Sequence, residues 1–105
     1  MRVTKLLRPP NTRVLSAKRA KSFEPDVASA FGAIVRAERL KMGVAQDQFA
    51  LLADVDRSYF GKLERGERQP SLGLLLRIAG ALEISGGDIV KRVEKQLAQA
   101  KTVDA

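Results

Sequence analysis

The stretch Val44–Pro70, VAQDQFALLADVDRSYFGKLERGERQP, constrains the fold of this chain more than any other. It divides into an apolar-periodic segment, Gln46–Ala53, a break at Asp54-Val55-Asp56, and a second periodic segment, Arg57–Arg65. Two helices joined by so short a turn must cross steeply. In the second segment Tyr59, Phe60 and Leu63 fall together at helical spacing, while Arg57, Ser58, Gly61, Lys62 and Arg65 fall on the opposite side. One face is suited to a core. The other is small, polar and mostly basic.

The flanking sequence reads as helices that hold this pair. Pro25 and Asp26 open a helix of roughly 26–41, whose buried stripe is Phe31, Ile34, Val35 and Met42, and Gly43 ends it as a left-handed cap. Beyond the pair, Gly66 supplies a positive φ that stops the second helix, and residues 67–70 form a loop. Ser71 caps a fourth helix, 72–82, with Leu72, Leu75, Ile78, Ala79 and Leu82 at core spacing. Ser85 caps a fifth, about 86–100, carrying Ile89, Val90, Val93 and Leu97 on one stripe, and residues 101–105 fray. Five helices with short connections and no strand signal make an all-α domain over 25–100.

Residues 1–24 differ in kind. They contain Pro9-Pro10 and no sustained period, and are expected to be a flexible arm with at most a transient helical turn over Val14–Lys21. Arg2, Lys5, Arg8, Arg13, Lys18, Arg19 and Lys21 stand there against Glu24 alone, so nearly all of the net charge of +7 belongs to the arm. It reads either as a solvated tail or as a basic arm for phosphates or a minor groove.

The chain has no cysteine and no histidine. Disulfides, thiolate zinc sites and the commonest general base are therefore absent, which argues against an enzyme, a metal site or a cofactor. Asp47, Asp54 and Asp56 cluster at the turn but suit caps better than catalysis. No apolar run approaches the ~18 residues of a membrane span. The N-terminus lacks an apolar signal core, so a cytoplasmic protein is expected. A helix with a buried back and a basic front suits the major groove of double-stranded DNA.

Over about residues 31–90 the sequence resembles the phage-repressor/Cro, or Xre, family of helix-turn-helix regulators. The resemblance rests on Phe31-Gly32, Arg36–Arg39, Gly43, Gln46, Phe49-Ala50, Val55, Ser58-Tyr59-Phe60, Leu63-Glu64-Arg65-Gly66, Pro70-Ser71, Leu75, Ile78, Ala79 and Ala81-Leu82. It implies a five-helix repressor-like domain whose third helix reads DNA, with the motif at about 45–65. By the same resemblance Arg57, Ser58, Gly61 and Lys62 sit where base edges are reached, and Gln46, Tyr59, Arg65 and Arg68 where phosphates are. Tyr59 stays open between packing and a phosphate contact, and Arg65 and Arg68 between backbone contacts and solvated loop charges. Glu64 is expected to be structural, caging Arg39 or a backbone donor.

Three positions depart from the family pattern. Asp54 stands where glycine is usual, Ala45 replaces a hydroxyl cap that Asp47 would have to offset, and Gly61 sits where serine is common. Gly61 serves either close approach to a base or a close helix contact within the domain. The function implied is a sequence-specific transcriptional regulator, a repressor or autoregulator, working as a homodimer through Ile89, Val90, Val93 and Leu97, with Leu74 or Leu76 as additions. The alternative is a protein-interaction module of the same fold, an antitoxin or anti-regulator, using Leu51 on the outer side of the second helix and the long basic arm.

Overall fold

The computed structural model describes residues 22–104, so residues 1–21 of the expected arm 1–24, with its turn at Val14–Lys21, lie outside the described residues. Five helices follow one another: α1 Pro25–Met42, α2 Gln46–Ala53, α3 Arg57–Glu64, α4 Leu72–Leu82 and α5 Gly86–Asp104. The last runs past Ala100 to Asp104, so residues 101–104, expected to fray, continue the helix beyond the end of its apolar stripe at Leu97. There is no strand among the described residues.

Each boundary has a local cause. Pro25 occupies the first position of α1, where its missing N–H costs nothing. Gly43 ends that helix at φ 71°. Asp54 takes the left-handed conformation that ends α2, φ 58° and ψ 50°, as its short polar side chain tolerates. The Asp54 carbonyl then accepts from Arg77 Nη1 at 2.8 Å, a tie from α4 that holds the turn. Asp56 caps α3 by accepting the Tyr59 N–H at 3.0 Å. Ser71 and Ser85 cap α4 and α5 in the same way, accepting from the N–H groups of Leu74 and Asp88.

The core lies between the helices: Phe31, Ile34 and Val35 of α1, Phe49 of α2, Phe60 and Leu63 of α3, Ile78 and Leu82 of α4, Ile89 and Val93 of α5. The rings of Phe49 and Phe60 meet at a centroid distance of 5.1 Å, fixing α2 against α3. Their helices are only eight residues each. Segments that short are unstable alone in water, so tertiary packing supplies their order.

Two expected core residues are outside it. Met42 and Leu72 are 41% and 71% exposed, because each stands at a helix end, beyond the reach of the opposing helix. Tyr59 is half-buried against the rim of the core. Ile89 and Val93, expected at a dimer interface, are buried within the domain and out of a partner's reach. They point inward because α5 packs along α1 and α4. Of that stripe Val90 faces outward and Leu97 is partly buried.

Candidate nucleic-acid interface

The position of α3 is set from behind by a buried polar network. Arg39 of α1 meets Glu64 of α3 in a two-pronged pair, Nε to Oε2 at 2.7 Å and Nη2 to Oε1 at 3.0 Å. Its remaining nitrogen, Nη1, donates to the Val44 carbonyl at 2.9 Å. Gln46 Nε2 completes the set by donating to Glu64 Oε1 at 2.8 Å. One carboxylate thus ties together α1, the start of α2 and the end of α3. The hydrogen bond to Glu64 holds the Arg39 guanidinium above its usual pKa, against the opposing effect of burial. Of the two partners expected for Glu64, Arg39 or a backbone donor, the structure has Arg39.

The helices touch closely at this seam because residue 32 is glycine. A Cβ there would run into the carbonyl oxygens of Leu63 and Glu64. Gly66 is constrained twice: its φ is 76°, and a Cβ would stand 3.0 Å from the Cα of Ser29.

The outer face is different. Arg57 and Ser58 are exposed at the first turn of α3, and Lys62 is half-buried one turn on. Arg57 Nη1 rests on Asp47 Oδ2 of α2 at 3.1 Å, both side chains well into solvent. Arg65 pairs with Glu67 at 2.8 Å, which raises the arginine's pKa and lowers the carboxylate's. Arg68 Nη1 donates to the Glu67 carbonyl at 2.9 Å. Gly61 is buried, and what covers it is side chain: a Cβ there would lie 3.2 Å from Arg65 Nη1 and 3.5 Å from Gln46 Oε1. The helix-contact explanation of this glycine is thereby narrowed, since its neighbours are flexible side-chain ends and not another helix backbone.

The departure at Ala45 is offset by Gln48, whose Oε1 accepts the Ala45 N–H at 3.2 Å, and not by Asp47. A glutamine three residues after a helix start is a legible signal for that bond. The pairing of Asp47 with Arg57 had no sequence signal, because a spacing of ten residues across a turn belongs to no repeat. The same holds for Arg77 on the Asp54 carbonyl.

The helix-turn-helix family model HTH_3 matches residues 35–89 of this sequence. The chain belongs to this family of DNA-binding transcriptional regulators. Among helix-turn-helix relatives, the control protein C.MunI of a Mycoplasma species is 31% identical over 72 residues, covering 68% of this chain and 97% of its own. The clp gene regulator ClgR of Corynebacterium glutamicum is 32% identical with a TM-score of 0.67, over 74% of this chain and 84% of that one. The restriction-modification controller protein C.AhdI of Aeromonas hydrophila is 39% identical with a TM-score of 0.57, over 59% and 94% respectively. No helix among the described residues is long and apolar enough to cross a membrane.

Proposed function

We propose that this helix-turn-helix protein reads specific DNA sequences in the major groove as a homodimer, and acts as a repressor or autoregulator in the cytoplasm of a bacterial-type cell. The observation that carries this reading is the contrast across α3, whose back is fixed by buried Phe60, Leu63 and Glu64 while its first turn stays open. A reading helix needs that combination, because base contacts reward side chains already held in place.

Arg57, Ser58 and Lys62 are the base-contacting side chains, with Gly61 giving a low floor between them. Arg57 suits guanine O6 and N7. Gln46, Tyr59, Arg65 and Arg68 meet phosphates on either side. Gln46 serves at the open start of α2, where helix N–H groups and the dipole also favour an anion. Its side-chain nitrogen is engaged by Glu64, so the network aims this residue instead of leaving it to search. Residues 25–100 form the DNA-binding domain and residues 1–24 the basic arm.

From the stripe Ile89, Val90, Val93 and Leu97 we keep Val90, and assign the dimer face to it together with Leu76 and Leu72, exposed by 42%, 54% and 71%. Leu76 reaches over the start of α5: a Cβ on Gly86 would sit 2.5 Å from its Cδ2. Val90 stands one turn beyond Gly86, so the residues share one side of α4 and α5. Control and regulator proteins among the relatives agree with a regulatory role.

Selection of bound sites from random DNA, with light scattering of the complex, tests the reading. Two symmetric half-sites about one helical turn apart, held by two chains, are expected. A single asymmetric site held by one chain would sink it.

A second reading, an antitoxin or anti-regulator module that captures a protein, is favoured by Leu51 and Leu52, which are 83% and 63% exposed beside a shallow cleft lined also by Val44 and Gln48. A stoichiometric protein partner retained through purification would support it.

A further inference from the structure

The direction in which α3 leaves the turn depends on one peptide unit, that between Asp54 and Val55. A peptide unit is planar, and its N–H and carbonyl point opposite ways, so holding both fixes its rotation. Here the two are held by different helices. The Val55 N–H donates to the Ala50 carbonyl of α2 at 2.9 Å. The Asp54 carbonyl accepts from Arg77 Nη1 of α4 at 2.8 Å, across 23 residues of sequence. Only Val55 and Asp56 then remain before Arg57, the first residue of α3.

Arg77 differs from the other paired arginines of the surface. Arg57, Arg65 and Arg92 each meet a carboxylate. Arg77 is exposed on α4, and among the described residues its side chain is engaged by the Asp54 carbonyl alone. A guanidinium suits that place, because the carbonyls at a helix C-terminus carry partial negative charge. The turn also needs support from outside. Asp54 takes a left-handed conformation, φ 58° and ψ 50°, that costs any residue but glycine. Val55 packs against the core and gives the turn an apolar foot. Arg77 fixes how the turn is rotated about that foot.

We propose that Arg77 is a positioning residue for base reading: by holding the Asp54 carbonyl it sets the angle at which α3 enters the major groove, and so the places of Arg57 and Ser58. The proposal rests on the DNA-binding reading above. The last turn of α3 is held separately, by Glu64 on Arg39. Loosening the Asp54 carbonyl therefore displaces the first turn of α3 more than Lys62, which stands nearer the strut. Arg77 acts through the turn and contacts no base or phosphate itself.

The test uses the full-length chain with Arg77→Met, which keeps the side chain's bulk and removes its donor and charge, and Arg77→Lys, which restores both. Affinity is measured against salt for the selected site and for each of its single-base variants. Arg77→Met lowers preference about three- to tenfold at the base pairs whose preference is also lost with Arg57→Ala or Ser58→Ala, and by less than about twofold at those read by Lys62. Arg77→Lys recovers part of that preference. The salt slope does not change, because no phosphate contact is lost. Without DNA, hydrogen exchange of the Tyr59 amide, which Asp56 caps, is faster in Arg77→Met. A uniform loss of affinity with the slope lowered by about one overturns the proposal in favour of a direct phosphate contact. A loss equal at every base pair, with the urea midpoint lowered, overturns it in favour of general support of the fold. Unchanged preference or unchanged Tyr59 exchange also overturns it. Failure of the unaltered chain to bind any duplex overturns the DNA-binding reading itself, which separates the two failures.

Discussion

The seam between α1 and α3 and the outer face of the helix pair use the same chemical unit, an arginine against a carboxylate, in opposite surroundings. At the seam, the side chains of Arg39 and Glu64 are 7% and 2% exposed, and every polar atom of the carboxylate has a partner. On the outer face, Arg57 and Asp47 are 72% and 63% exposed, and Arg65 and Glu67 are 57% and 49% exposed. A buried pair is costly to break, because the survivor is left charged without water. An exposed pair contributes little, and its arginine can exchange a carboxylate for a phosphate or a base at small cost. Burial therefore turns one pair into a fixed strut and leaves the others as exposed pairs that can change partners at small cost.

The largest expected effect breaks the strut. Glu64→Ala should lose about 3–5 kcal/mol of unfolding free energy, read by urea denaturation, since Arg39 would be stranded and Gln46 released. A loss below about 1 kcal/mol would show that the seam is wetter than its geometry implies. Next comes the outer face. Arg57→Ala and Lys62→Ala should each cost about 1–3 kcal/mol of discrimination between the selected site and its single-base variants, with unfolding shifted by less than about 0.5 kcal/mol. Equal destabilisation of the fold would erase the difference between the two faces.

Smaller again is the release of an exposed arginine. Glu67→Gln frees Arg65 and removes an acid from the phosphate side, so DNA affinity should rise about two- to fivefold, most visibly at low salt. Unaltered affinity would mean that Arg65 does not face DNA. The smallest effect concerns Glu38, which holds Lys41 and Arg92 at 2.9 and 2.6 Å. Hydrogen bonds from Lys41 and then Arg92 lower its pKa below the usual 4.5. Its contribution to stability is therefore complete above about pH 4.5 and disappears as pH falls through the lowered folded value. Glu38→Gln should therefore lower stability slightly at neutral pH, leave it unchanged at pH values well below the folded pKa, and so flatten that part of the acid-unfolding curve.

Much of the fold was legible because helices of this size announce themselves by period and by caps. Gly43, Asp56, Gly66, Ser71 and Ser85 each end or start a helix as their chemistry suggests. The candidate reading face was legible as well, since Arg57, Ser58 and Lys62 lie opposite Phe60 and Leu63 on one short helix. The period says less about which apolar residue is buried. Leu72 and Met42 continue their stripes correctly, yet each helix ends there with nothing packed above it.

Local sequence determined where the five helices begin and end and which side of α3 is polar, because capping and helical period act within a few residues. Only the tertiary structure decided the partners of the charges. Between Arg39 and a backbone donor, the two partners expected for Glu64, packing selected Arg39; Arg57 found Asp47 across the turn, and Gln69 found the backbone at Ser22 and Glu24. The same packing sent Ile89 and Val93 inward and left Leu76 and Val90 outside. These outcomes depend on which helix faces which, and that is fixed by filling a common core, a condition no single segment carries alone.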